Sequence, residues 1–255
     1  MMEMMELKKN AAERLIRYAR IMTPSDAGSE TTPSSRCQFV LANVLVDELK
    51  EMGLTDAFVD DTCYVYASIP ASAGKEDCPA IGFIAHMDTV SDYTRDQVNP
   101  MVWENYDGRD LELPGGRIIS SEDFPHISRL EGRTLITTDG NTVLGADDKA
   151  GVAEIMTMAE YLLRSGTPHG RICIGFTPDE EIGRGPDHFD VKGFGADFAY
   201  TVDGGEEGSI EYENFNAADA VFTVRGKGIH PGDAKGIMIN ASLVAIEINN
   251  MIPEN

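Results

Sequence analysis

The sequence predicts an α/β fold: a mostly parallel central sheet flanked by helices, followed by the start of a smaller α+β domain. Three observations carry this. Short apolar runs at 80–86, 171–177 and 198–202 alternate with stretches of helical rhythm, the pattern of strands joined by helical crossovers. Each run ends in a polar cluster containing carboxylates or histidine. In open α/β sheets, sites form beyond the C-terminal ends of the strands. Finally, 255 residues with 42% hydrophobic content suffice for one large domain or a domain and a half.

Taken in order, residues 6–22 repeat apolar side chains with helical spacing through Leu7, Ala11, Leu15, Ile16 and Ala19, and Thr23-Pro24 stops the helix. Pro33 and Ser34 open a second helix through Phe39, Val40, Val44, Leu45 and Leu49, closed by Gly53. Residues 57–68 alternate as a strand, and 80–86 form a buried one. Residues 92–133 form an irregular polar insertion, and 133–137 a short strand. A helix covers 151–163, with Val152, Ile155, Met156, Ala159 and Leu163 on its apolar side. Strands follow at 171–177 and 198–202. After Asp203 come extended segments over 210–224, joined at 214–216, and a helix at 237–250. The domains are therefore drawn as 1–213 and 214–255.

Lys+Arg total 21 against 43 Asp+Glu, a net charge of −22. This argues against nucleic acid, whose affinity comes from basic contacts to phosphate, and against anionic membrane surfaces. Four cysteines without a pairing pattern, and no apolar stretch of membrane-spanning length, predict a reduced cytoplasmic protein. The acidic N-terminus does not read as a signal peptide.

Four polar clusters stand at the expected strand ends: His86 with Asp88, Asp147-Asp148, Asp179-Glu180-Glu181, and Asp203. Each has a plain alternative. His86 and Asp88 could share a local hydrogen bond, Asp147-Asp148 could cap a helix, and the other two could be exposed turns. Together they point to one crevice, where converging carboxylates repel unless cations neutralise them. One imidazole with several carboxylates suits zinc, cobalt or manganese, and such a cluster can hold two ions sharing a carboxylate. No GxSxG, GxxxxGK[ST] or HExxH sequence offers a competing chemistry.

The sequence resembles the peptidase T family, the tripeptide-aminopeptidase branch of di-zinc metallopeptidases that also include aminoacylases, dipeptidases and glutamate carboxypeptidases. The matching stretches are Ile84-Ala85-His86-Met87-Asp88-Thr89, Leu135-Ile136-Thr137-Thr138-Asp139-Gly140, residues 144–151 (LGADDKAG), residues 177–183 (TPDEEIG), Val202-Asp203-Gly204-Gly205, residues 213–218 (ENFNAA) and residues 230–236 (HPGDAKG). The last two point to the peptidase T branch.

The resemblance implies that His86 and Asp203 bind one Zn2+, Asp147 bridges two, and Glu181 binds the second. It makes Glu180 the general base, Asp88 the residue that orients His86, and His230 a lid residue that polarises the scissile carbonyl. It also implies a cis Asp147–Asp148 peptide bond. The reaction would release the N-terminal residue of tripeptides by attack of zinc-bound hydroxide, in an enzyme that pairs as a homodimer through its lid. A related dipeptidase or N-acyl amino acid hydrolase fits the same metal motifs. Family members continue beyond the position of residue 255 and supply there a last histidine ligand. No histidine follows His230, and His126, His169 and His188 match no metal motif. An inactive metal-binding or dimerisation fragment is therefore a further reading.

Overall fold

In the computed structural model the described residues are 2–92, 97–205, 207–213, 216, 218 and 220–253. The chain divides into two units, Met1–Ser209 and Ile210–Asn255.

The first unit opens with helices α1 (Met2–Ala19) and α2 (Gln38–Glu51), followed by strands β1 (Phe58–Val59), β2 (Val65–Ile69) and β3 (Ile81–His86). The insertion carries β4 (Met101–Trp103), β5 (Leu111–Glu112), β6 (Ile118–Ile119) and a 3-10 turn over Pro125–Leu130, and β7 (Leu135–Thr137) follows it. Then come α3 (Ala146–Ser165), β8 (Ile172–Thr177), a 3-10 turn over Glu180–Ile182, α4 (Val191–Phe194) and β9 (Phe198–Thr201).

The central sheet has the order β1-β2-β8-β3-β9. β2 runs antiparallel to both its neighbours, whereas β8, β3 and β9 are parallel. Only β2 therefore runs against the common direction. Register sets His86 beside Thr177 and Ile84 beside Thr201. Backbone bonds from Met87 N to Thr177 O (2.9 Å) and from Val202 N to Ile84 O (2.7 Å) carry the pairing past the strand ends. Three polar clusters thus leave the sheet at one edge.

Alternation along β8 sends Ile172, Ile174 and Phe176 into a core with Tyr18, Leu41, Leu45, Leu49, Val152, Ile155 and Met156 from the three long helices. Cys173 joins Tyr64, Tyr66 and Phe194 in a second cluster. All six β8 residues are buried, as expected of a central strand covered on both faces. A Cβ on Gly82 would lie 2.5 Å from Phe194 Cε1, so the glycine lets that ring close on the sheet.

Several boundaries differ from the sequence expectation. The second helix begins at Gln38, because Ser34 and Ser35 are engaged in bonds to Asp179 and to Pro24 O. The expected 151–163 helix extends over Ala146–Ser165, with non-helical torsions at Asp147 and Asp148. The insertion holds short strands that its polar sequence did not suggest.

In the second unit, Lys227 and Ile239 form an antiparallel bridge, and α5 (Ala241–Asn249) is capped by Asn240 Oδ1 accepting from Ser242 N at 3.0 Å. Among the described residues of 210–224 no strand forms, and part of the 214–216 joint lies outside the described residues. No helix among the described residues is long and apolar enough to cross a membrane.

Candidate metal centre

His86 is the last residue of β3 and only 2% exposed. Its Nδ1 lies 3.0 Å from the backbone O of Asp88 and 3.4 Å from Asp88 Oδ1. The ring is therefore aimed mainly by a carbonyl, with the carboxylate behind it. Nε2 faces the crevice, 2.9 Å from Asp147 Oδ1 and 3.7 Å from both Glu180 Oε2 and Asp203 Oδ2.

Asp88 is fully buried, and its carboxylate accepts from the backbone N–H of Glu180 at 2.9 Å and of Glu181 at 3.2 Å. One residue thus ties the end of β3 to the turn after β8. On the α3 side, the Asp147–Asp148 peptide bond is cis. Asp148 turns inward and accepts from His86 N at 3.2 Å and Gly151 N at 3.0 Å, while the Asp147 side chain stays 73% exposed. Gly151 is required here: a Cβ would collide with Val202 O and the Asp148 carboxylate.

The electrostatics follow from this crowding. Burial alone would lower the His86 pKa. The hydrogen bond and charge of Asp88, with the charges of Asp148 and Asp203, override it and push the value up to about 10. Burial, then the charge of Asp203, pushes Asp148 up to about 8. Burial also raises Glu180, Glu181 and Asp203; the His86 charge opposes the rise, and the negative charges of Asp203 at Glu180 and of Asp147 at the other two add to it. Burial dominates at the carboxylates, and neighbouring negative charge adds to it at each of them.

The donor set fits divalent metal. Ligand atoms of His86, Asp147 and Glu181 lie within 4.8 Å of one another, as do those of His86, Asp148 and Asp203. One nitrogen with surrounding carboxylate oxygens suits zinc and its neighbours. The fold brings together His86, Asp88, Asp147, Glu180, Glu181 and Asp203. His230 stands in the second unit, where its Nδ1 accepts from Gly232 N at 3.2 Å.

Asp148 had no separate role in the sequence reading. Its only signal was adjacency to Asp147, and which of the pair turns inward is decided by the backbone. Lys149 was also missed. Its ammonium is fully buried and donates to Ile21 O at 2.6 Å, and burial lowers its pKa to about 8.

Residues 212–255 match the peptidase dimerisation domain family. Over 250 residues the chain is 52% identical to peptidase T of Geobacillus kaustophilus, covering 97% of this chain and 61% of that protein. It is 54% identical over 246 residues to peptidase T of Clostridium perfringens, covering 96% and 60%. The chain therefore spans about three-fifths of the length of these curated relatives. Among solved structures, the aminopeptidase PepT of Bacillus cereus aligns with a TM-score of 0.58 at 21% identity, covering 96% of this chain and 57% of that one. A tripeptidase of Staphylococcus aureus aligns with a TM-score of 0.55 at 21% identity, covering 78% and 44%. The two structures share the fold. Sequence similarity over nearly its whole length makes the chain a relative of peptidase T.

Proposed function

We propose that the protein carrying this chain is a zinc-dependent aminopeptidase that releases the N-terminal residue of tripeptides. The observation that carries the reading is the convergence on His86 Nε2 of carboxylates from three separate segments, Asp147, Glu180 and Asp203. Names of the relatives, peptidase T, supply the reaction class.

His86 and Asp203 would hold one Zn2+, Asp147 would lie between two, and Glu181 would hold the second. Bound ions supply Lewis acidity, polarising the scissile carbonyl and acidifying an attacking water. Glu180 takes the proton from that water as its oxygen bonds to the carbonyl carbon. Its raised pKa suits a group that must hold a proton briefly. Glu180 then gives the proton to the departing amine nitrogen as the C–N bond breaks. Asp88 keeps Glu180 and Glu181 in place through their amides. His230 would polarise the same carbonyl, a role supported by its flanking HPGDAKG sequence.

We assign residues 1–213 to catalysis and residues 214–255 to a lid that pairs in a homodimer. The dimerisation-domain match over 212–255 supports this. The four free cysteines support a cytoplasmic location.

The test is tripeptide hydrolysis by the full-length gene product, before and after chelation, beside dipeptides and acylated amino acids. Glu180→Gln is expected to lower kcat by about 100- to 10,000-fold while zinc stays bound. Chelator-insensitive turnover, or a Glu180→Gln enzyme with unchanged kcat, would overturn the reading.

A further inference from the structure

The mechanism gives no role to the buried carboxylate of Asp179. Asp179 precedes Glu180, is fully buried, and holds a left-handed backbone conformation at φ 57°. Its Oδ2 accepts from Ser34 N at 2.7 Å, and its Oδ1 accepts from Ser34 Oγ at 2.5 Å and Gln38 Nε2 at 2.7 Å. Its own N–H donates to Gln38 Oε1 at 3.3 Å, and its carbonyl accepts from Arg184 N at 2.9 Å. Gln38, the first residue of α2, is itself fully buried.

The turn 179–181 is therefore held by two buried carboxylates of different origin. Asp88 of the β3 end grips the amides of Glu180 and Glu181. Asp179 anchors the start of the turn to the N-terminal end of α2, where the helix dipole favours negative charge. Buried polar groups engaged this fully fix one geometry, and hydrogen-bonded residues behind metal ligands set how those ligands point.

We propose that Asp179, with Gln38 and Ser34, is a positioning unit that aims Glu180 and Glu181 into the crevice. Its consequence for metal rests on the metallopeptidase reading above, whereas its effect on the turn does not. α2 thereby reaches the turn through Gln38, which meets Asp179 rather than any proposed metal ligand.

Three variants of the chain test this: Gln38→Met, Asp179→Asn, and Leu49→Ala as a control that removes core packing elsewhere on α2. Backbone amide exchange is measured without metal, and Co2+ is then titrated while its visible absorption is followed. Gln38→Met and Asp179→Asn are expected to speed exchange at Glu180 and Glu181 and to weaken Co2+ binding, each by about tenfold or more. Leu49→Ala should lower thermal stability and leave both readouts unchanged. Folded variants with parental amide exchange and Co2+ affinity within about twofold of the parent would overturn the proposal. If Asp179→Asn does not fold, Gln38→Met decides. A parent that binds no Co2+ would contradict the metal reading, and amide exchange alone would then judge the positioning unit.

Discussion

His86 must be buried to end a central strand and charged to satisfy its neighbours. Burial disfavours the imidazolium, yet the surrounding carboxylates hold the pKa near 10. Without metal the ring is thus the cluster's internal cation, facing Asp147 directly and Glu180 and Asp203 at longer range. Replacing it strands those carboxylates. His86→Ala, unfolded by urea in the presence of chelator, is expected to lose stability on the order of 3 kcal/mol, as when one partner of a buried pair is removed. A loss within about 0.5 kcal/mol, typical of a surface site, would show that the ring carries no such burden. The residues legible in the sequence were those in polar clusters that recur at successive expected strand ends: His86 with Asp88, Asp147, the Asp-Glu-Glu run and Asp203. Asp148 was not, because two adjacent aspartates differ only in backbone torsions: φ −81°, ψ 103° at Asp147 and φ −120°, ψ 34° at Asp148. Nor were Ser34 and Gln38, ordinary polar residues whose value comes from a partner more than 140 positions away.

The elements position the site through parallel register and one close crossing. β3, β8 and β9 end together, which delivers His86, the 179–181 turn and Asp203 to a single edge. The start of α3 closes that edge by pressing Gly151 against Val202 O and Asp148. A methyl group there has nowhere to go, so Gly151→Ala must push α3 away from β9 or turn Asp148 out. It is expected to lower stability by about 1–3 kcal/mol through overpacking, and to weaken divalent-metal binding as well. Thermal melts with and without Zn2+ check this; a variant with parental melting in both conditions would refute the crossing's importance. Short continuous apolar runs made β3, β8 and β9 readable, and the apolar faces of α1, α2 and α3 were equally plain. β4, β5 and β6 are two or three residues long, too short for any periodicity to register. The direction of β2, which alone runs against the sheet, is a pairing choice that alternation does not encode.

At the scale of the whole molecule, an acidic chain of net charge −22 gathers a histidine and several carboxylates at one point of the first unit. Cation binding there would stabilise the native state by mass action, about 2.7 kcal/mol at a free ion concentration 100 times Kd. The second unit carries the dimerisation-domain match and His230 of the proposed lid. Both the stabilisation and the proposed hydrolysis depend on His86 and its carboxylates forming a divalent-metal centre. Its most direct test is zinc retained per chain after dialysis against buffered nanomolar Zn2+, in the parent and in His86→Ala. The parent is expected to retain zinc and the variant to lose it. A parent that retains none, or a His86→Ala chain that retains as much, would contradict it.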